Sequence, residues 1–162
     1  MVLISTEKAD RISREFADIK QEAGLLGRYL SSLAGSMPAD DLEHFQQTHT
    51  CGSATEKIYS GLERIVEILS AALDERPAGK SEKDWHKRLL VRASRKKPGV
   101  RDAIISESTF EALDRLRGFR HRERNSYFQT LDLDIVITRA KEAIVVIEQL
   151  KADIQKFMPS GI

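Results

Sequence analysis

The chain has 162 residues, 41% of them hydrophobic and 31% charged. That is enough for one domain with a real core, expected over residues 1–162, and no apolar run approaches the roughly 20 residues that span a bilayer. Cys51 stands alone, which rules out a disulfide framework and a cysteine-based metal site. The N-terminal stretch through Lys8 lacks a basic leader and a long apolar run, so no secretory signal is expected and the protein is expected in the cytoplasm.

Ala9, Ile12, Phe16, Ile19, Ala23, Leu26, Leu30 and Leu33 recur at spacings of three and four. That spacing predicts a helix with one apolar seam. Gly24 and Gly27 lie inside it and mark either a close crossing or a kink. Gly35-Ser-Met-Pro38 predicts a turn. A second long helical stretch follows, with Cys51-Gly52 as a candidate interruption; its later part carries Ile58, Leu62, Ile65, Leu69 and Ala72 and stops before the break at Arg76-Pro-Ala-Gly79.

Ser81 to Asp84 has the form of a capping box, opening a short helix through about Ala93. Arg95-Lys-Lys-Pro-Gly-Val-Arg101 reads as a basic loop. Ser108 to Glu111 is a second candidate capping box, with a start near Ser106 as the alternative. Asp134 is the expected cap of a last helix whose seam is Val136, Ala140, Ala143, Ile147, Leu150, Ile154 and Phe157. No strand alternation of useful length and no internal repeat is present. The expected fold is an all-α bundle of about five helices.

Charge is unevenly spread. Residues 80–125 hold 14 Lys+Arg against 7 Asp+Glu, a net of +7, while the remainder holds 12 against 18. The densest part places Arg117, Arg120, His121, Arg122 and Arg124 within eight residues, opposed only by Glu123. Like charges this close repel. Two readings fit: a site where an anion such as a polyphosphate backbone relieves the repulsion, or a solvated helix face.

Trp85-His-Lys-Arg-Leu-Leu90, Ile104-Ile-Ser106, Leu116-Arg-Gly-Phe-Arg-His121, Tyr127 and Leu131-Asp-Leu133 together resemble the HepT-like branch of the HEPN superfamily, over roughly residues 50–135. The resemblance implies a small antiparallel helical bundle that forms a homodimer. It further implies a metal-independent endoribonuclease with no cofactor, whose partners are RNA and, in HepT/MntA-type toxin–antitoxin pairs, a nucleotidyltransferase antitoxin. The family motif is an arginine, a polar residue directly after it, a histidine five positions beyond the arginine, then one residue and a tyrosine. Laid on this chain, the arginine is Arg120, the polar residue His121 and the tyrosine Tyr127. The histidine position holds Asn125. By the same resemblance Tyr127 is the residue that an antitoxin modifies with AMP; packing in an interface is its alternative role.

Metal-free RNA cleavage needs a 2′-hydroxyl to lose a proton, cations to stabilise the phosphorane, and a proton for the leaving oxygen. Arg120, with Arg117, Arg124 and Tyr127 as substrate-binding neighbours, suits the second task, because a guanidinium forks onto phosphate oxygens. An amide such as Asn125 exchanges no proton near neutral pH, so His121 is the proton carrier left in the motif. Either His121 has taken over that role, or the site binds RNA with little or no cutting. On a straight helix position 125 lies about 140° from position 120. A bend, or a cleft between two subunits, is required to aim both at one phosphate, and the resemblance favours the cleft.

The remaining candidates read more plainly. Trp85 is expected as a core anchor and His86 as a surface or helix-cap histidine, with a second catalytic group as its alternative. His44 and His49 do not share a helix face, which argues against metal binding. Gly118 suits a close backbone approach, at a helix crossing or across a dimer axis. Three functions stand: a ribonuclease toxin, a HEPN fold that has lost catalysis and binds RNA, a nucleotide or a partner protein, and a helical module whose arginines meet an acidic partner.

Overall fold

The structure is a computed structural model that describes residues 2–74, 84–125 and 131–159, with Glu123 and Asn125 described as backbone only. Five helices follow one another: α1 (Thr6–Leu33), α2 (Asp41–Asp74), α3 (Trp85–Ser94), α4 (Glu107–Asn125) and α5 (Leu133–Ile154), closed by a short 3-10 turn at Gln155–Phe157. Helix takes up 80% of the described residues, and no strand occurs among them. The fold is an all-α bundle.

The predicted seams are the surfaces that pack. Ala9, Ile12, Phe16, Ile19, Ala23 and Leu26 of α1 are buried, as are Val136, Ala140, Ala143, Ile147, Leu150 and Ile154 of α5. Between them runs α2, the central element, which packs against each of the other four helices. Its 34 residues span about 51 Å at 1.5 Å per residue. Cys51-Gly52 does not interrupt it. Both residues are buried, and the Thr55 hydroxyl donates to the Cys51 carbonyl at 2.7 Å, so a small residue here admits neighbours instead of ending the helix. The close α1–α2 crossing is at Gly61. A Cβ added there would lie 2.6 Å from Ile19 Cγ1, whereas one at Gly24 would meet nothing within 4 Å.

The helix starts follow local chemistry. Ser5 accepts from the Lys8 amide, and Asp40 with Glu43 forms a reciprocal capping box at α2, Glu43 N to Asp40 Oδ1 at 2.8 Å and Ala39 N to Glu43 Oε2 at 2.7 Å. The cap of α4 is Ser106, which accepts from the Thr109 amide, and that of α5 is Asp132, not Asp134. Asp84, in the left-handed region at φ 67°, makes no side-chain cap hydrogen bond. The rest of the box expected around Ser81, and the break at 76–79, lie outside the described residues.

The basic loop proves to be a clamp. Arg101 is buried and bidentate on buried Asp74, Nε to Oδ1 at 2.7 Å and Nη2 to Oδ2 at 3.1 Å. Its remaining protons go to the carbonyls of Arg92, Arg95 and Asp102 at 2.9–3.1 Å. Arg92 and Lys97 approach the same carboxylate. Part of the positive middle of the chain is therefore spent on tying the α3–α4 connection to the end of α2. Lys96, by contrast, is exposed and pairs with exposed Asp102 at 3.0 Å.

Hydrogen bonds and charge from Arg101, with Lys97 and Arg92 adding charge, hold the Asp74 carboxyl below the usual carboxylate range against the opposing effect of burial. A depressed carboxylate contributes stability that is full above that range and is lost as pH falls through it and below. Arg101→Met is expected to cost about 3–5 kcal/mol at pH 7 by leaving Asp74 buried and largely unpaired. Urea unfolding should show the gap between wild type and variant shrinking towards pH 3. A gap that does not change with pH would count against the clamp.

Candidate functional site

The arginine cluster sits on the last turns of α4, and α4 is placed by its apolar side. Leu113, Leu116 and Phe119 are each no more than 1% exposed. This anchors the helix against the core and turns the neighbouring flank, with Arg117, Arg120 and Arg124, along α2. At about 100° per residue these three positions share a face. His121 and Arg122 continue around the helix and are exposed.

What meets that flank is acid from α2. Glu63 is buried, and donors from three helices converge on its carboxylate. The hydroxyl of Tyr59, wholly buried on α2, donates to Oε2 at 2.5 Å; Nδ1 of His86, from α3, lies 2.7 Å from the same oxygen; Nη1 of Arg120 lies 3.4 Å from Oε1. The Arg120 guanidinium also stands over the Tyr59 ring, 5.7 Å from its centroid, within range of a cation–π contact. One turn away, Glu56 takes Arg124, Nε to Oε1 at 2.5 Å, and lies 3.6 Å from Arg120 Nε. Arg117 pairs within its own helix with Asp114 at 2.7 Å.

The repulsion expected among the arginines is thus relieved inside the chain, by Asp114, Glu56 and Glu63. An outside anion is not needed to hold the cluster together. Tyr59 keeps its proton. Burial, then the adjacent Glu63 charge, pushes its hydroxyl far above the ordinary tyrosine range. It is a fixed donor that holds Glu63 from behind.

Arg120 and Arg124 are brought together on one carboxylate. His121 lies about 100° round the helix from Arg120. α4 is continuous from Glu107 through Asn125, so no break between positions 120 and 125 brings them round to one face. Tyr127 lies outside the described residues. A Cβ at Gly118 would meet nothing within 4 Å, so no described helix crosses closely there. His86 is not a mere surface group: its ring is half-buried, joined to Glu63, and stacked near Trp85 with centroids 4.0 Å apart.

Tyr59, Glu56 and Glu63 were missed from sequence. A signal for Glu63 existed: it falls with Tyr59, Leu62 and Val66 at spacings of three and four, on a face that is buried throughout. An acid inside an apolar stripe needs a partner.

A groove of about 490 Å³ runs between α1 and α2 beside Arg124. Its walls carry Glu15, Asp18, Glu22 and Glu56 against Lys57, Arg64 and Arg124. This near balance, tipped to the negative, does not suit a phosphate, and the groove is not the continuation of the arginine site.

No described helix is long and apolar enough to cross a membrane. No curated protein and no solved structure compared with the chain matches it. Residues 51–160 match the sequence model of a family described as HepT-like protein. The match takes in most of α2 and all of α3, α4 and α5, the elements that build the Glu63–Arg120 site, and by it the chain belongs to the HepT-like family.

Proposed function

We propose that this chain is a metal-independent endoribonuclease of the HepT-like toxin class, which holds an RNA phosphate at Arg120 in a cleft completed by a second copy of the chain. The observation that carries this reading is the contrast between two largely buried arginines. Arg101 directs its protons to five acceptors at 2.7–3.1 Å, which is what a structural arginine requires. Arg120 is positioned by two carboxylates, yet its contacts are long, 3.4 Å to Glu63 and 3.6 Å to Glu56, and its buried Nε has no hydrogen-bond partner among the described residues. It is fixed in place with donor capacity unspent. Nε is buried, so a ligand's oxygens would meet the guanidinium through the 16% of the side chain that is exposed, where the contact to Glu63 is long.

The two helices that bring His86 and Arg120 to Glu63 also carry exposed cations, Lys87 and Arg88 on α3 and Arg122 and Arg124 on α4. Arg124, which shares Glu56 with Arg120, is the neighbour best placed to meet a second phosphate. The resemblance to HepT-like nucleases supplies the reaction class, and a nucleotidyltransferase antitoxin acting on Tyr127 belongs to the same proposal. Asn125 favours a second reading, a HEPN fold kept for binding, because an amide at the family's histidine position exchanges no proton.

Binding of single-stranded RNA is expected to weaken steeply with salt. Arg120→Ala and Arg124→Ala should each reduce affinity by about tenfold, on the order of 1.4 kcal/mol per lost charged contact, and Lys96→Ala should change it little. Fluorescence anisotropy checks this; equal losses at all three positions would indicate diffuse attraction and no site. Cutting that persists in EDTA supports the nuclease. Binding without cutting in the wild type, with cutting gained in Asn125→His, moves the chain to the second reading.

The homodimer rests on the angle between positions 120 and 125 and on the open space over Gly118. Sedimentation at micromolar concentration is expected to give twice the chain mass of 18.3 kDa. A monomer there contradicts the two-subunit cleft.

A further inference from the structure

We infer that His86, held by Glu63, is the imidazole that faces the phosphate at Arg120 and exchanges the proton that Asn125 cannot. This rests on the nuclease reading for its chemistry and on the geometry of the Glu63 carboxylate for its place. His86 Nδ1 and Arg120 Nη1 sit on the two oxygens of one carboxylate, at 2.7 Å and 3.4 Å. The imidazole and the guanidinium thus reach one carboxylate from two helices, one on each oxygen.

The division of labour follows from burial. The Glu63 side chain is 8% exposed and that of His86 is 36% exposed, so the carboxylate stays inside while the ring reaches the surface. A carboxylate accepting from Nδ1–H fixes the ring's orientation and tautomer, leaving Nε2 as the nitrogen that takes a proton. Tyr59, whose hydroxyl keeps its proton, occupies the same Glu63 oxygen from the buried side and prevents the carboxylate from turning away. Among the described residues, the charged and titratable groups around this unit include Glu63 and Tyr59 from α2, Glu56 from α2 against Arg120, Arg120 from α4 against Glu63, Arg117 from α4 acting on Tyr59, and Lys87 and Arg88 on α3 itself. Glu63 is the positioning residue; His86 is the group that meets the substrate.

The step balances without a co-reactant other than water. Neutral His86 takes the proton of the 2′-hydroxyl. The 2′-oxygen forms a bond to the adjacent phosphorus, and the phosphorus–5′-oxygen bond breaks. The leaving 5′-oxygen takes a proton from water, and the imidazolium returns its proton to the hydroxide so formed. The products are a 2′,3′-cyclic phosphate and a 5′-hydroxyl, and nothing is oxidised or reduced. Arg120 stands where charge builds on the phosphorane oxygens.

The test uses the full chain with two probes: a single-stranded oligoribonucleotide, and the same strand with methylated 2′-hydroxyls, which binds and cannot be cut. In single-turnover cleavage from pH 5 to 9 in EDTA, the wild-type rate should rise with pH on an acid limb as an imidazole loses its proton. His86→Gln should lower the rate by about 100-fold and flatten that limb, with affinity within about threefold. Glu63→Gln should displace the limb, and His49→Gln should leave it unchanged. Retention of the wild-type profile by His86→Gln, with loss of the limb in His121→Gln, overturns the inference in favour of His121. If the wild type cuts nothing, the nuclease reading fails by itself, and histidine ring signals in NMR decide the placement. A change in the His86 signals and titration midpoint on adding the methylated strand, abolished by Arg120→Ala, upholds it; unchanged signals overturn it.

Discussion

One buried carboxylate organises the functional end of this bundle. Glu63 on α2 cannot stand in an apolar face without donors, because an unpaired buried charge costs several kcal/mol. Its donors come from Tyr59 on α2, His86 on α3 and Arg120 on α4. Satisfying one acid therefore fixes the relative positions of three helices and puts an imidazole next to a guanidinium. The apolar seams decide that there is a bundle. Glu63 decides what faces what at one place on it.

The same chain shows what a purely structural solution looks like. Asp74 and Arg101 form a pair in which both sides are buried and every guanidinium contact is short. That pair closes the α3–α4 connection and leaves nothing over. Around Glu63 the tyrosine and histidine contacts are short while the arginine contacts are long. The rigid part of the site is thus the carboxylate with Tyr59 and His86, while the largely buried Arg120 is held by longer contacts and its Nε has no hydrogen-bond partner among the described residues. A rigidly placed carboxylate that positions a guanidinium suits the electrostatic catalysis of phosphoryl chemistry.

Much of the fold was legible in the sequence, because helical periodicity in α1 and α5 is a local property: the seam from Ala9 to Leu26 and that from Val136 to Ile154 are the buried faces. Small residues were less legible. Cys51-Gly52 read as a candidate interruption, yet α2 runs through it with both residues buried. At the site, the Arg120 flank was visible as charge density, but its partners were not. Glu56 and Glu63 lie more than fifty positions earlier in the chain, and an acid in a helix reads as solvated until the opposite helix is known. Neither reading of the cluster, an anion site or a solvated helix face, foresaw that acids of α2 and α4 would pair with these arginines. His86 was underestimated in the same way, since its role is set by a contact with another helix.

The central claim is that Glu63 acts by positioning, against its own charge. The direct measurement is RNA affinity for Glu63→Gln, made in the wild-type and Arg120→Ala backgrounds. Removing a negative charge beside a phosphate favours binding on electrostatic grounds alone. The account predicts the opposite sign: weaker binding in the wild-type background, and no such loss once Arg120 is gone. Tighter binding in both backgrounds would show that Glu63 is only a counter-charge and would contradict the account.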